Sequence, residues 1–346
     1  MMNINDINLI YKHLGDDLSK KIFAYRIMNS YSNNNDPIWI ERLMRTNRSV
    51  NEMISKLVSE PAVIFGAGQL AREFIFSTPS IKWKYIVDNY PKAEKYLNVQ
   101  IVSFDYFMRH YNEETILIAT TQYNDEIYNQ LMQYNVDKRN ILSYRQLLDQ
   151  CEHIQYLDLP MMHYSADEVF IDVGCLDGMT DVYLKQRIGD KVNQIVAFEP
   201  DKTKNEIIAN HLRSNNINYK IVNKAAWSSD TTLQFGRMAK GCQMSVMLDS
   251  EIESVETTTI DETLKQMNIN ATFIKMDIEG SEAEALKGAK TTISTSKPKL
   301  AISVYHKPED IFDIPSIILK YNPEYTLYLR HYSPRSAETV LYAIQH

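Results

Sequence analysis

The chain lacks several features, and each absence narrows what it can be. Its 346 residues hold only three cysteines, Cys151, Cys175 and Cys242, odd in number and far apart. These form neither a disulfide framework nor a zinc cluster, and reduced thiols are expected. No apolar run approaches the length that crosses a bilayer, and residues 1–11 carry Asp6 without an apolar stretch. No signal peptide and no membrane partner are therefore expected, and a soluble, cytoplasmic protein is. Internal repeats and low-complexity segments are absent. So is any basic excess: the net charge is −7, with 17 Lys and Arg against 17 Asp and Glu in residues 1–150 and 20 against 27 in the remainder. Nucleic-acid binding relies on basic surface that releases counterions from phosphates, so no nucleic-acid partner is expected.

With 44% apolar residues the chain can bury more than one core, and two domains are the first expectation. Residues 1–58 read as a helical segment, with apolar residues three and four apart over 16–30 and 38–57 and the turn SNNNDP between them. Residues 59–150 alternate strand and helix: AVIF, a helix from Gln69, WKYIV, TILIATT, a polar helix from Asn124 and a short strand near Ile141. This is a small Rossmann-like parallel α/β unit. Residues 151–167 have no clear periodicity and read as a linker. Over 168–346 the alternation restarts through VFIDV, QIVAFEP, YKIVNKAAW, a β-rich excursion, TFIKMD and LAISVY. It ends differently, because YTLYLRHYS and ETVLYAI are joined so closely that they form a hairpin, whose last strand runs antiparallel to its neighbour. Within the excursion, Met238, Met244 and Met247 read as gap-filling apolar residues near the edge of a pocket.

The segment IDVGCLDGMTD, residues 171–181, looks like a nucleotide-binding glycine loop, but Leu176 stands where a dinucleotide loop has its second glycine, followed by Asp177. Leu176 blocks the approach of a pyrophosphate and Asp177 repels it. A cationic ligand without a phosphate at the turn fits better, and S-adenosyl-L-methionine, with its ammonium and sulfonium, is such a ligand. Gly174 offers close backbone contact, and Asp172 and Asp177 offer negative charge. The next strand ends in AFEPD, which places Glu199 25 residues after Gly174, where an acid can accept both hydroxyls of a ribose.

FIDVGCLDG, VAFEPD, NKAAWSSD, TTTIDETL and IKMDIEGSEAEALKGA, in this order, resemble the FkbM-type family of class I S-adenosylmethionine-dependent methyltransferases over about residues 165–345. The most specific piece is D-x-E-G-x-E followed by L-K-G-A. The resemblance implies a doubly wound seven-stranded sheet whose last strand is antiparallel, with cofactor and acceptor above the carboxyl ends of the parallel strands. It implies a cofactor seat of Asp172, Gly174, Asp177, Gly178, Glu199 and Asp201, with Ala226 and Trp227 beside the adenine and Asp277 near the methyl group. The acceptor it implies is a hydroxyl on a sugar or another small polar metabolite.

In MDIEGSE, the carboxylates Asp277, Glu279 and Glu282 pass from a strand end into a helix. They read either as a metal or base site or as helix-capping groups. Capping is favoured for Glu282 and function for Asp277. No residue is assigned as a metal ligand, and metal dependence is left open. His306 and His331 close strands at the same edge. His306 is the candidate base, since an imidazole can take a hydroxyl proton, while Glu279, Arg330 and His331 are placed on the acceptor side.

A second glycine loop, FGAGQLA, has Gly66 and Gly68 after a strand and Asp88 ending the next strand, 22 residues after Gly66. It fits the dinucleotide pattern, and residues 60–145 are similar to the nucleotide-sugar-binding N-terminal domain of certain sugar acetyltransferases. A nucleotide-sugar site competes with a packing or homo-oligomer role for this domain. The expectation is an S-adenosylmethionine-dependent O-methyltransferase. A noncatalytic nucleotide or nucleotide-sugar sensor is the alternative, and an NAD-linked sugar oxidoreductase ranks third.

Overall fold

A computed structural model describes residues 4–32, 36–238, 241–243 and 252–346. Met244 and Met247 lie outside the described residues. The chain divides into two compact units: Met1–Phe23 with His153–Arg330 and Glu338–His346, and Ala24–Glu152 with His331–Ala337. These boundaries differ from the expected ones. The N-terminal helices are shared between the units, and residues 151–167 are no linker. A helix, Tyr144–Ile154, runs into them and buries Tyr144, Leu147 and Cys151. Tyr156, Leu157, Leu159 and Met162 beyond it are also buried.

The second unit is built on a six-stranded sheet in the order Lys95–Tyr96, Val99–Ser103, Trp83–Asp88, Ala62–Phe65, Thr115–Ile118, Ile141–Ser143. All neighbours are parallel except the antiparallel pair of Lys95–Tyr96 with Val99–Ser103. Val63, Phe65, Val87, Ile116 and Ile118 pack with Phe104, Phe107 and Leu131 from the covering helices. The helix expected over 38–57 is two helices, Pro37–Met44 and Arg48–Ser59. The break falls at Asn47, whose side chain accepts the Val50 amide at 3.2 Å and so starts a new helix.

The first unit carries a seven-stranded sheet in the order Thr326–His331, Thr339–Ile344, Lys299–Ser303, Phe273–Met276, Glu168–Val173, Val192–Phe198, Tyr219–Val222. Glu168–Val173 is buried at every position, the pattern of a parallel strand covered on both faces. It is an interior strand, fifth in this order, parallel to Phe273–Met276 on one side and to Val192–Phe198 on the other. Thr339–Ile344 runs antiparallel to Lys299–Ser303, with Leu300 opposite Ala343. This is the doubly wound arrangement, with an antiparallel last strand, that the sequence implies. The N-terminal residues join the outer edge: Leu14 bridges Leu327, and the Gly15 amide donates to the Leu327 carbonyl at 2.9 Å. The β-rich excursion forms a separate four-stranded sheet that includes Ala225–Ala226 and Ile252–Thr258.

The L-K-G-A piece of the family motif has a packing explanation. A Cβ on Gly288 would stand 1.9 Å from the Trp227 carbonyl oxygen. The Trp227 amide in turn donates to Thr258 O at 2.9 Å, so this backbone has no room to retreat. Gly288→Ala is therefore expected to destabilise the first unit by about 1–3 kcal/mol, seen as a lower urea midpoint. An unchanged midpoint would refute the close-packing account.

Candidate functional site

Three strands end in one row. Val173 is in register with Phe198 on one side and with Met276 on the other, so Gly174, Glu199 and Asp277 follow side by side at the carboxyl edge. This is also where the strand order reverses, the crevice in which doubly wound sheets bind ligands. Gly174 has φ 83, and a Cβ there would stand 2.1 Å from the Asp277 carbonyl oxygen. Only glycine suits both the left-handed backbone and this approach.

Beneath the row lies a buried charge cluster. Lys275 Nζ is 2.8 Å from Asp172 Oδ1 and donates to the Gly174 carbonyl at 2.7 Å, with the Tyr156 ring centre 5.3 Å away. Burial would depress the ammonium, but Asp172 and then Asp277 hold it above its ordinary value. Asp181, fully buried nearby, is pushed well up by burial and then by the Asp172 charge, so it keeps its proton. Asp172, expected to face a cationic ligand, has no exposed surface and is committed to Lys275. Its role is to fix the loop.

The loop carries its own supports. Leu176 adopts φ 54 and stays 61% exposed, and its amide donates to Glu199 Oε2 at 3.2 Å. Glu199 Oε1 accepts the Asp201 amide at 2.9 Å. Each Glu199 oxygen thus has one donor and can accept another. Burial raises the Glu199 carboxyl, against the pull of those two amides. Asp177 and Asp201 act locally: Asp177 Oδ1 accepts the Met179 amide at 3.0 Å after Gly178, which has φ 80, and Asp201 Oδ1 accepts the Thr203 amide at 2.9 Å. Ala226 is buried, and Trp227 follows it at the end of its short strand.

The acidic motif folds back on itself. Glu279 and Gly280 both have positive φ, 55 and 92, which turns the chain after Asp277 and returns Glu282 beneath it. Glu282 is fully buried, and its Oε1 accepts the Ile278 amide at 2.8 Å. His306 completes the cluster, with Nδ1 3.0 Å from Glu282 Oε1 and Nε2 3.5 Å from Asp277 Oδ1 and 3.6 Å from Glu279 Oε2. Burial would lower this imidazole, but Glu282, Asp277 and Glu279 raise it to about 9. A shift in this direction favours the protonated ring at neutral pH and weighs against the expected role as base. Asp277 is held from the other side by Tyr156 OH at 2.8 Å and Tyr305 OH at 3.2 Å. Behind them, Gln155 Nε2 donates to Glu338 Oε2 at 2.7 Å. Lys275, Tyr156, Tyr305 and Glu338 were not singled out in the sequence. Lys275 lies inside the motif IKMDIEG, but nothing in its residue type says that a strand lysine points inward.

Residues 172–332 match the family model described as Methyltransferase FkbM domain. The chain carries an FkbM-type methyltransferase domain. A crystal structure of methyltransferase FkbM from Methylobacillus flagellatus is similar in fold, with a TM-score of 0.53 and 21% identity over 95% of this chain and 99% of that one. Aeropyrum pernix fibrillarin with bound S-adenosyl-L-methionine gives a TM-score of 0.37 at 11% identity, over 54% of this chain and 70% of that one. A putative O-methyltransferase from Klebsiella pneumoniae gives 0.33 at 10% identity, over 65% and 99%. No curated protein is significantly similar to the chain.

Within the methyltransferase domain the row unites Gly174, Glu199, Asp277, Glu279 and His306, whereas Arg330 and His331 are engaged elsewhere. Arg330 Nη2 pairs with Asp16 Oδ2 at 2.6 Å and Nη1 donates to Ser19 Oγ at 3.2 Å, on the edge strand. This salt bridge anchors the N-terminal helices and removes Arg330 from the acceptor side. His331 is buried, with Nε2 2.8 Å from the Arg335 carbonyl. In the second unit, Asp88 uses the same device as Glu199: Oδ2 accepts the Ala67 amide at 2.9 Å, between Gly66 and Gly68, and Oδ1 accepts the Tyr90 amide at 2.8 Å.

Burial, and then the Arg26 charge, lowers the His331 imidazole to about 3. A neutral buried histidine contributes stability that is complete above the unfolded value near 6.5 and is lost as the pH falls toward 3. Across that window the wild type should lose about 1.4 kcal/mol per pH unit more than His331→Gln. Equal acid slopes in denaturant titrations would show that His331 is not neutral in the fold.

Proposed function

We propose that the domain transfers a methyl group from S-adenosylmethionine to a hydroxyl oxygen of a sugar or another small polar metabolite. The observation that carries this reading is the row of Gly174, Glu199 and Asp277 at the strand-order reversal. The residues fit the cofactor. Glu199, with one free acceptor position on each oxygen, suits a pair of ribose hydroxyls, and the acidic loop around Leu176 and Asp177 suits a cation and repels phosphate. Asp277, at the strand tip beside Gly174, faces the positively charged end.

The cofactor supplies an already activated methyl group, so the protein's own work is alignment, exclusion of water and handling one proton. The hydroxyl oxygen gives its electron pair to the methyl carbon and its proton to a base. Asp277 is that base in our reading. Tyr156 and Tyr305 orient its carboxylate, and the His306 imidazolium stands on its open side. Glu338 belongs to the same hydrogen-bonded support, its carboxyl raised to about 7 by burial and by Asp277. For the second unit we read Gly66, Gly68 and Asp88 as a nucleotide-sugar seat. Thermal stabilisation by nucleotide sugars supports that assignment, and stabilisation by NAD alone contradicts it.

The two main assignments separate in one pair of variants. Glu199→Ala should weaken S-adenosylmethionine binding by about 10–100-fold, the loss of hydrogen bonds to a charged acceptor. Asp277→Asn should slow turnover by about 10²–10⁴-fold on a panel of hydroxyl acceptors, well beyond any loss in that binding. Calorimetry reads the first and S-adenosylhomocysteine release the second. A wild-type protein that binds neither S-adenosylmethionine nor S-adenosylhomocysteine overturns the reading.

A further inference from the structure

The cluster under the acceptor side has more donor atoms than its hydrogen bonds use. Glu282 has no exposed surface, yet its Oε2 has no hydrogen-bond partner among the described residues. His306 Nδ1 is also buried without a hydrogen bond among the described residues, although it stands 3.0 Å from Glu282 Oε1. Helix capping accounts for only one oxygen of Glu282, the one that accepts the Ile278 amide. A buried carboxylate oxygen without a donor is costly unless something else neutralises it. One imidazole ring faces three carboxylates, those of Asp277, Glu279 and Glu282.

We propose that Asp277, Glu282 and His306 bind one divalent cation of the Mn²⁺ or Zn²⁺ class. Donor atoms from these three residues all lie within 4.8 Å of one another. Two ligand atoms each about 2.1 Å from a shared ion stand at most about 4.2 Å apart, so small side-chain shifts close the site. Two carboxylates with one imidazole suit a borderline ion, whereas Ca²⁺ takes a larger all-oxygen shell. Entry is open from one side, where the side chains of Asp277 and Glu279 are 28% and 42% exposed. A ring nitrogen that holds the ion must be unprotonated, so any proton there leaves to solvent as the ion binds. Water and the acceptor hydroxyl complete the shell, where the ion acidifies the hydroxyl while a free lone pair of Asp277 takes the proton. The hydroxyl's role rests on the methyl-transfer reading; binding of the ion does not.

The test uses the full chain, treated with chelator, without cofactor or acceptor. Mn²⁺ binding is followed by electron paramagnetic resonance of the free ion, and Zn²⁺ binding by competition with a chromophoric chelator. One equivalent should bind with a Kd below about 100 μM. Asp277→Asn and His306→Gln should each weaken it about 10–100-fold with unchanged circular dichroism, and His331→Gln should not. Bound Mn²⁺ should also show nitrogen modulation of its electron spin echo that His306→Gln abolishes. No stoichiometric binding of either ion by about 1 mM, or equal affinity in all the variants, overturns the proposal. Because no cofactor is present, such a failure leaves S-adenosylmethionine binding to be judged separately.

Discussion

The site depends on the buried pair of Lys275 and Asp172. One ammonium, out of contact with water, reaches both the Asp172 carboxylate and the Gly174 carbonyl, and so ties the glycine loop to the neighbouring strand. Such a pair adds little net stability, because desolvation offsets much of the attraction, but losing one partner strands a buried charge. Its effect is geometric. It brings the Gly174 backbone against Asp277 and thereby sets the spacing of the acidic row. The Asp181 carboxyl is pushed well up because burial strips it of solvent and the Asp172 charge lies beside it.

Much of the architecture was legible in the sequence because it rests on periodicity and punctuation. The alternation of strands and helices follows from continuous apolar runs such as VFID and the antiparallel end from the short link between two strand patterns, while the seven-stranded doubly wound sheet was implied by the family resemblance. The failures have physical causes. The helix expected over 38–57 breaks because the Asn47 side chain competes for an amide, a local choice invisible to apolar spacing. The supposed linker buries Tyr156, Leu157 and Leu159 against tertiary partners, and irregular backbone leaves no periodic trace of such burial.

The site was legible where backbone geometry needs a particular residue and less so where side chains meet from distant segments. Gly174 and Glu199 were singled out from position alone, and the strand register brings them side by side. Arg330 and His331 were placed on the acceptor side from strand direction, which cannot reveal that Asp16 captures the arginine or that the histidine turns to a carbonyl. The proton affinity of His306 was not legible, because it is set by three carboxylates that only the turn at Glu279 and Gly280 brings together. Tyr156 and Glu338, on opposite flanks of the domain in sequence, meet only through the fold.

The route of the chain between its two units has a consequence for synthesis. The first unit opens the chain, yields to the second after Phe23, resumes at His153, yields again over 331–337 and finishes with the last strand. On a ribosome the six-stranded sheet of the second unit can therefore pair completely while the seven-stranded sheet still lacks most of its strands. Leu14 must wait for Leu327 to emerge. The central position between Thr326–His331 and Lys299–Ser303 is filled only by Thr339–Ile344, the last strand made. Until then two strands expose unpaired edges, so the nascent methyltransferase domain is most exposed to misassociation just before Thr339–Ile344 emerges.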